Sequence, residues 1–175
     1  NFFVDKKRIY EICLGLLKKN IKIKWGNANG CISQLVEYDP EIWKAMRKSG
    51  CQMILTGAES GSQKTLDLIH KNLEIDQVEP FTKLCRKYHI RVFFSYIVGI
   101  PWSKSKKKNK KYVEDDFKHT LQQIRDMMRI GGQNNRFSIS VYTPYPGSAL
   151  YNRALGFGLQ APRSLVEWSK FMAVA

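Results

Sequence analysis

The stretch "RVFFSYIVGIP", residues 91–101, is apolar almost throughout and does not alternate. A strand with one wet face alternates apolar and polar residues. An unbroken run of this length, bounded by Gly and Pro, reads instead as a strand buried on both faces, the mark of a parallel sheet. Parallel strands cannot be joined by tight turns; each needs a crossover, usually a helix. The rest of the chain supplies such crossovers. Asp5 can cap a first helix whose apolar face is Ile9, Ile12, Cys13, Leu16 and Leu17. "IKIKW" (21–25) alternates like a strand, and "DPEIWKAMRKSG" has Asp39 as cap, Pro40 at its first position and Gly50 as stop. Strand "CQMILTG" follows, then a short helix to about Lys71. A second helix, "DQVEPFTKLCRKYH" (76–89), carries Val78, Phe81, Leu84, Cys85 and Tyr88 on one face. A helix over 114–130 precedes the strand opening "RFSISVYTPYPGS". The order predicts an α/β fold with parallel strands near 21–25, 52–57, 91–100 and 136–143, adjacent in sequence order. A barrel and a doubly wound sheet both satisfy it.

In either architecture ligands gather at the carboxyl ends of the strands. The small-residue loops "GNANG", "GAESGS", "GIPWS" and "YTPYPGS" all fall there. "GAESGS" is unusual because an apolar run, Met53-Ile54-Leu55, delivers one carboxylate, Glu59, among small residues. A carboxylate at the end of a core strand carries a desolvation cost unless something pairs with it. Glu59 is either a solvated turn residue, with Ser62 capping the next helix, or a ligand for a cation or hydroxyl. Trp25 and Trp102 end strands at the same face, where core packing and ligand stacking are both open readings.

The four cysteines, Cys13, Cys31, Cys51 and Cys85, include no two within four residues of each other, so no CxxC-type metal motif exists. Cys13, Cys51 and Cys85 read as core thiols, in keeping with a reducing, cytoplasmic setting. His70, His89 and His119 share no ligand spacing. No apolar run approaches the ~20 residues of a membrane span. The net charge is +14, and "KSKKKNKK", from Lys104 to Lys111, supplies six of those charges without an acid. The run reads as a mobile, solvated loop; a nucleic acid is the partner it would suit, although nothing aromatic interleaves with the lysines to make a stacking platform.

Together "NFFVDKKR", "GAESGSQKTLDLI", "FFSYIVGIP" and "VYTPYPGSALY" resemble, in this order and spacing, the radical S-adenosylmethionine (radical SAM) superfamily. They are most similar to the branch whose longer members carry an N-terminal cobalamin-binding domain; "EYDPEIWKAMRKSGC" is similar to the helix before the fourth strand of that branch. The resemblance implies a partial TIM-like (βα)6 barrel. This chain would be a partial core domain over 1–175, supplying the third to sixth strands with outer helices. It implies an enzyme that binds SAM beside a four-iron four-sulfur cluster and either generates a 5′-deoxyadenosyl radical or transfers a methyl group. A tRNA-modifying enzyme and a non-catalytic module with this fold are the alternatives. The family's cluster is held by a CxxxCxxC loop after the first strand. This chain opens on Asn1-Phe2-Phe3 and stops inside a helical pattern, so both ends read as cut and the cluster ligands are expected outside it. Cobalamin is implied for a longer protein, and no catalytic residue is assigned.

For SAM, the resemblance carries over Asn1 near the amino group, and Glu59 and Ser60 on the ribose and methionine part. Gly61 would allow close approach and Ser62 would cap the helix. Ile97 and Gly99 would lie beside the adenine, with Tyr142, Thr143 and Pro144 at its edge. Where the family continues the fifth strand with Pro-Gly-Glu-Thr, this chain has Pro101-Trp102-Ser103-Lys104. Either the loop is remodelled or the sequence diverges in substrate binding, so the family's adenine support from that loop does not carry over directly.

Overall fold

A computed structural model describes residues 2–132 and 135–172. Four strands, β1 (Trp25–Asn29), β2 (Cys51–Glu59), β3 (Arg91–Val98) and β4 (Arg136–Val141), form one sheet in the order β1-β2-β3-β4, every pairing parallel. Between and around them lie α1 (Lys6–Lys18), α2 (Ile32–Leu35), α3 (Pro40–Lys48), α4 (Gln63–Leu68), α5 (Val78–Lys87), α6 (Lys106–Gly131), α7 (Ala149–Gly156) and α8 (Leu165–Met172). Sequential parallel order winds the chain one way round, as in a barrel; a doubly wound sheet reverses its order at a switch point.

The core lies between one sheet face and the helices. Ile54, Ala58, Val92, Phe94 and Tyr96 are buried, and Phe94 meets Phe81 of α5 edge-on at 6.1 Å. Phe81 in turn contacts Trp43 of α3, and the Tyr96 hydroxyl donates to Gln123 of α6 at 2.9 Å. Fully burying an aromatic or aliphatic side chain contributes about 1.5–3 kcal/mol, so this face holds most of the stability. The opposite face, with Met53, Leu55, Phe93, Ser95 and Ile97, is only part-buried. Burial of β3 on both faces, expected from its apolar run, therefore holds on the helix side alone; a four-stranded arc leaves its concave side open.

Four further expectations are corrected. The first strand is Trp25–Asn29, not 21–25; Ile21 and Ile23 are 45% and 44% exposed. Pairing begins at Trp25 opposite Cys51 and runs through the small residues that looked like a loop, with two register shifts. Packing against β2 overrides the local alternation. The lysine run is not a loop: α6 starts at Lys106, capped by Ser105, and absorbs it into 26 helical residues. Lysine is a good helix former, and the run continues in phase with the helix that buries Asp116, Thr120, Ile124 and Met127. On α1 only Ile9 and Cys13 are buried, while Ile12 and Leu17 are about 40% exposed. Asp5 caps α1 through the Arg8 amide at 3.0 Å, as expected; Asp39 makes no side-chain cap and pairs with Lys6 at 3.2 Å instead. Among the described residues no helix is long and apolar enough to cross a membrane.

Burial pushes the Cys51 thiol up to about 12 and raises Cys85 well above the ordinary thiol value. The unfolded chain loses both protons near the ordinary value of about 8.5, whereas the folded chain keeps them. Stability should therefore fall as pH rises past about 9, by up to about 1.4 kcal/mol per pH unit for each thiol. Urea unfolding between about pH 9 and 11 should show this decline, and Cys85→Ala should make it shallower. An equally steep decline in the variant would show that Cys85 ionises as readily folded as unfolded.

Candidate cofactor site

Parallel order places all four carboxyl ends on one edge of the sheet, and the candidate residues lie along it. Glu59 is the last residue of β2 and takes a left-handed backbone, φ 61°. Such a conformation is uncommon for a residue with a Cβ and signals local over-determination. The carboxylate folds back over Gly57, where any Cβ would stand 1.9 Å from Glu59 Oε1. Glycine at 57 is thus what makes room for the acid. Glu59 Oε1 accepts from Lys71 Nζ at 2.9 Å, with the two side chains 17% and 29% exposed. The carboxylate is therefore neither solvated nor buried alone. Its second oxygen has no partner among the described residues and is available to a ligand.

The rest of "GAESGS" faces α6. Ser60 is fully buried; its hydroxyl donates to Asp116 Oδ1 at 2.6 Å and accepts the Ser62 amide at 2.9 Å. Thr65 Oγ1 donates to the same Asp116 oxygen at 2.6 Å, and the Gly61 amide donates to Thr120 Oγ1 at 3.0 Å. A Cβ on Gly61 would lie 2.4 Å from the His119 carbonyl. The close approach that Gly61 permits is that of a helix backbone. Ser62 occupies the N-cap position of α4 but makes no side-chain cap bond.

Gly99, Tyr142 and Pro144 share a pocket of about 350 Å³ with Pro101, Lys104, Asn109 and Phe157. Gly99 is at φ 82°, and the Tyr142 amide extends the β3–β4 ladder by donating to Val98 at 2.7 Å. Burial raises the Tyr142 phenol, and its hydroxyl, shut away from solvent, has no hydrogen-bond partner among the described residues. Thr143 turns its hydroxyl back to the Val141 carbonyl at 3.4 Å and does not line this pocket. Ile97 lies on the concave face, and Asn1 lies outside the described residues. Sequence reasoning missed Lys71, Asp116, Thr65 and Thr120. Lys71 sits just beyond a short helix, where nothing local marks it. Asp116 and Thr120, four residues apart on α6, share a face, so the spacing of two buried polar residues was the available sign.

The chain's thiols do not fit an iron–sulfur cluster. Cluster ligands must be deprotonated and convergent, whereas Cys13, Cys51 and Cys85 are buried with raised thiols. Among the described residues no three of the His, Cys, Asp or Glu side chains gather as a metal site.

No protein-family model matches the chain. It is 24% identical over 174 residues to an uncharacterized methyltransferase of Pyrococcus horikoshii, covering 99% of this chain and 33% of that protein. It is 24% identical over 148 residues to the anaerobic magnesium-protoporphyrin IX monomethyl ester cyclase of Rubrivivax gelatinosus, covering 85% of this chain and 24% of the cyclase. The chain thus spans a third or less of these relatives. Among solved structures, coproporphyrinogen III oxidase (HemN) of Escherichia coli, a radical SAM enzyme, aligns with TM-score 0.61 and 14% identity over 98% of this chain and 37% of that one. The cobalamin-dependent radical SAM enzyme OxsB, with aqua-cobalamin bound, aligns with TM-score 0.55 and 18% identity over 86% of this chain and 25% of its own. The radical SAM methyltransferase TsrM of Kitasatospora setae, with cobalamin and a [4Fe-4S] cluster bound, aligns at 0.50 and 15% over 77% and 24%. Reconstituted anaerobically with iron and sulfide, the present chain should not retain a four-iron cluster through desalting. A stoichiometric cluster on it would show that its buried thiols open and converge.

Proposed function

The chain has the partial-barrel fold of the radical SAM enzymes, and on that premise we propose that it is the part of such an enzyme that binds SAM at the carboxyl edge of its sheet, for methyl transfer or radical generation. Methyl transfer is the favoured reaction, since an uncharacterized methyltransferase and TsrM are among the proteins it resembles. SAM bound at a reduced four-iron cluster supplies a methyl group or a 5′-deoxyadenosyl radical; the cluster would be held by residues other than the thiols described here. Cobalamin is a further cofactor of the whole protein, in keeping with the OxsB likeness.

The observation that carries this reading is Glu59: a half-satisfied carboxylate, fixed by a left-handed backbone, at the edge where parallel sheets present ligands. Its free oxygen can accept from a ribose hydroxyl or an ammonium. Lys71 holds the acid's orientation through its 2.9 Å contact. Ser60, Gly61 and Ser62 act one step back, holding the loop against α6 and α4 through Asp116 and Thr120. Gly99, Tyr142 and Pro144 form a separate concavity along the same edge that suits a ring. The chain's own residues thus bind and orient a ligand.

Glu59→Gln should weaken SAM binding by about ten- to a hundredfold in the whole protein, because a hydrogen bond to a charged group contributes about 1.5–3 kcal/mol. Calorimetry measures the affinity, and circular dichroism separates loss of binding from loss of fold. Unchanged affinity with an intact fold would leave Glu59 as no more than the partner of Lys71.

A further inference from the structure

We propose that the start of α6 and the aromatic pair beside it form a binding surface for single-stranded nucleic acid, adjoining the loop that carries Glu59 but not including Glu59 itself. Six lysines lie between 104 and 111 with no acid among them, and each is exposed. Five of them, Lys106, Lys107, Lys108, Lys110 and Lys111, are helical, so their charges are held together on the first two turns of α6. The first turn of α6 carries no acidic residue, so the cations sit at the positive end of the helix dipole, where each is disfavoured. Lys106–Lys110 and Lys107–Lys111 are also like-charged neighbours four apart, which costs more. Among the described residues only Lys110 of the run has an acidic partner, Glu114 at a loose 3.8 Å. Lys6, Lys7 and Arg8 also open a helix, α1, with no acid in its first turn, but there Asp5 caps the helix, Lys6 pairs with Asp39 at 3.2 Å, Lys7 lies 3.9 Å from Glu11 and Arg8 donates to the Phe2 carbonyl. Arg86, Lys87 and Arg129 occupy the last turns of α5 and α6, where cations complement the dipole; Arg86 caps the Ile130 carbonyl at 2.7 Å and Arg129 pairs with Asp126. A local rule broken with no compensation inside the protein points to compensation from a partner, here a polyanion.

The rings choose the kind of polyanion. Trp102 and Tyr112 flank the lysines in sequence, and the helix brings them together, stacked at 5.1 Å and 17°. This supplies the aromatic element that the lysine run lacks when read as a sequence. Trp102 is fixed from both sides: its amide donates to Asn109 Oδ1 at 2.7 Å and its carbonyl accepts from Arg153 at 2.7 Å. Tyr112 keeps 43% of its surface in solvent. The pair lines a pocket of about 350 Å³ with Gly61, Ser62, Lys64, Asp115 and His119, of a size that takes a planar base. Exposed rings beside lysines are how single strands are held, with bases stacked and phosphates on the cations. A duplex hides its base faces and would find only the lysines. The Asp115 carboxylate in the pocket suits a base's amino edge and repels a phosphate, which keeps the phosphates on the lysine side.

Fluorescence anisotropy with a labelled oligonucleotide of about 12 nucleotides, single-stranded or paired, tests this at low salt. The single strand should bind more tightly than the duplex, and its affinity should fall steeply with salt. Replacing Lys106, Lys107, Lys108, Lys110 and Lys111 with Gln should weaken binding at least about tenfold and flatten the salt dependence. Tyr112→Ala should weaken it about tenfold with the salt slope kept; Tyr112→Leu, which keeps apolar bulk without the ring, should do the same and guards against a folding defect. Absence of binding, or a lysine variant that binds like the parent, overturns the proposal. So does equal affinity for duplex and single strand with Tyr112→Ala silent, which would leave a generic polyanion patch. The assay needs neither SAM nor a cluster, so its failure leaves the cofactor reading standing, and failure of Glu59→Gln leaves this surface standing.

Discussion

All four strands run parallel; β2 and β3 bury one face, with Trp25 and Ala28 of β1 and Phe137 of β4 packed part-buried against the same core, and that constraint sets everything else. One-sided burial forces each crossover onto the helix side. Right-handed crossovers in sequential order then bring every carboxyl end to one edge. Whatever the chain binds there meets loops from four separate strands, each placed by core packing rather than by the ligand. The other sheet face needs no helices and is left part-buried, lined by Leu55, Phe93, Ser95 and Ile97.

Within that edge, the loop after β2 divides its labour. Glu59 holds an unfavourable backbone, costing on the order of 1–3 kcal/mol, and its charged contact with Lys71 offsets a similar amount. The strain is tolerable because the next residues are pinned: Asp116 accepts two hydroxyls on one oxygen, and Thr120 takes the Gly61 amide. A buried carboxylate with two donors is well satisfied, and removal of any member would strand the others. The helix beginning in exposed lysines therefore becomes, in its third and fourth turns, the support of the cofactor loop.

Much of the architecture was legible in the residues. The apolar run of β3, the Pro40 and Gly50 punctuation of α3 and the Asp5 cap all reflect local physics, and local physics prevailed there. The first strand was not legible, because "IKIKW" has the alternation and "WGNAN" has the pairing; the neighbour β2 decides between them. The lysine run misled for a related reason: charge density suggested solvation, yet lysine's helix propensity and the phase of α6 made it helical. At the site, the small residues around Glu59 correctly marked a place of close approach. What approaches could not be read, since Lys71, His119 and Thr120 lie 12, 60 and 61 residues from Glu59 and meet it or its loop only through the fold.

Gly61 illustrates what this means for comparing sequences. Its missing side chain accommodates the backbone at His119, which every residue type possesses. A set of relatives would therefore keep glycine here whether or not they bind a cofactor, for as long as α6 crosses at the same height. Ser60 and Thr65 differ, because their partner is a side chain: where Asp116 changes, they are free to change with it. Positions 60, 65 and 116 should drift as a group and 61 should stand still. Invariance at this loop is thus a record of helix docking, and the column that speaks of ligand chemistry is that of Glu59 alone.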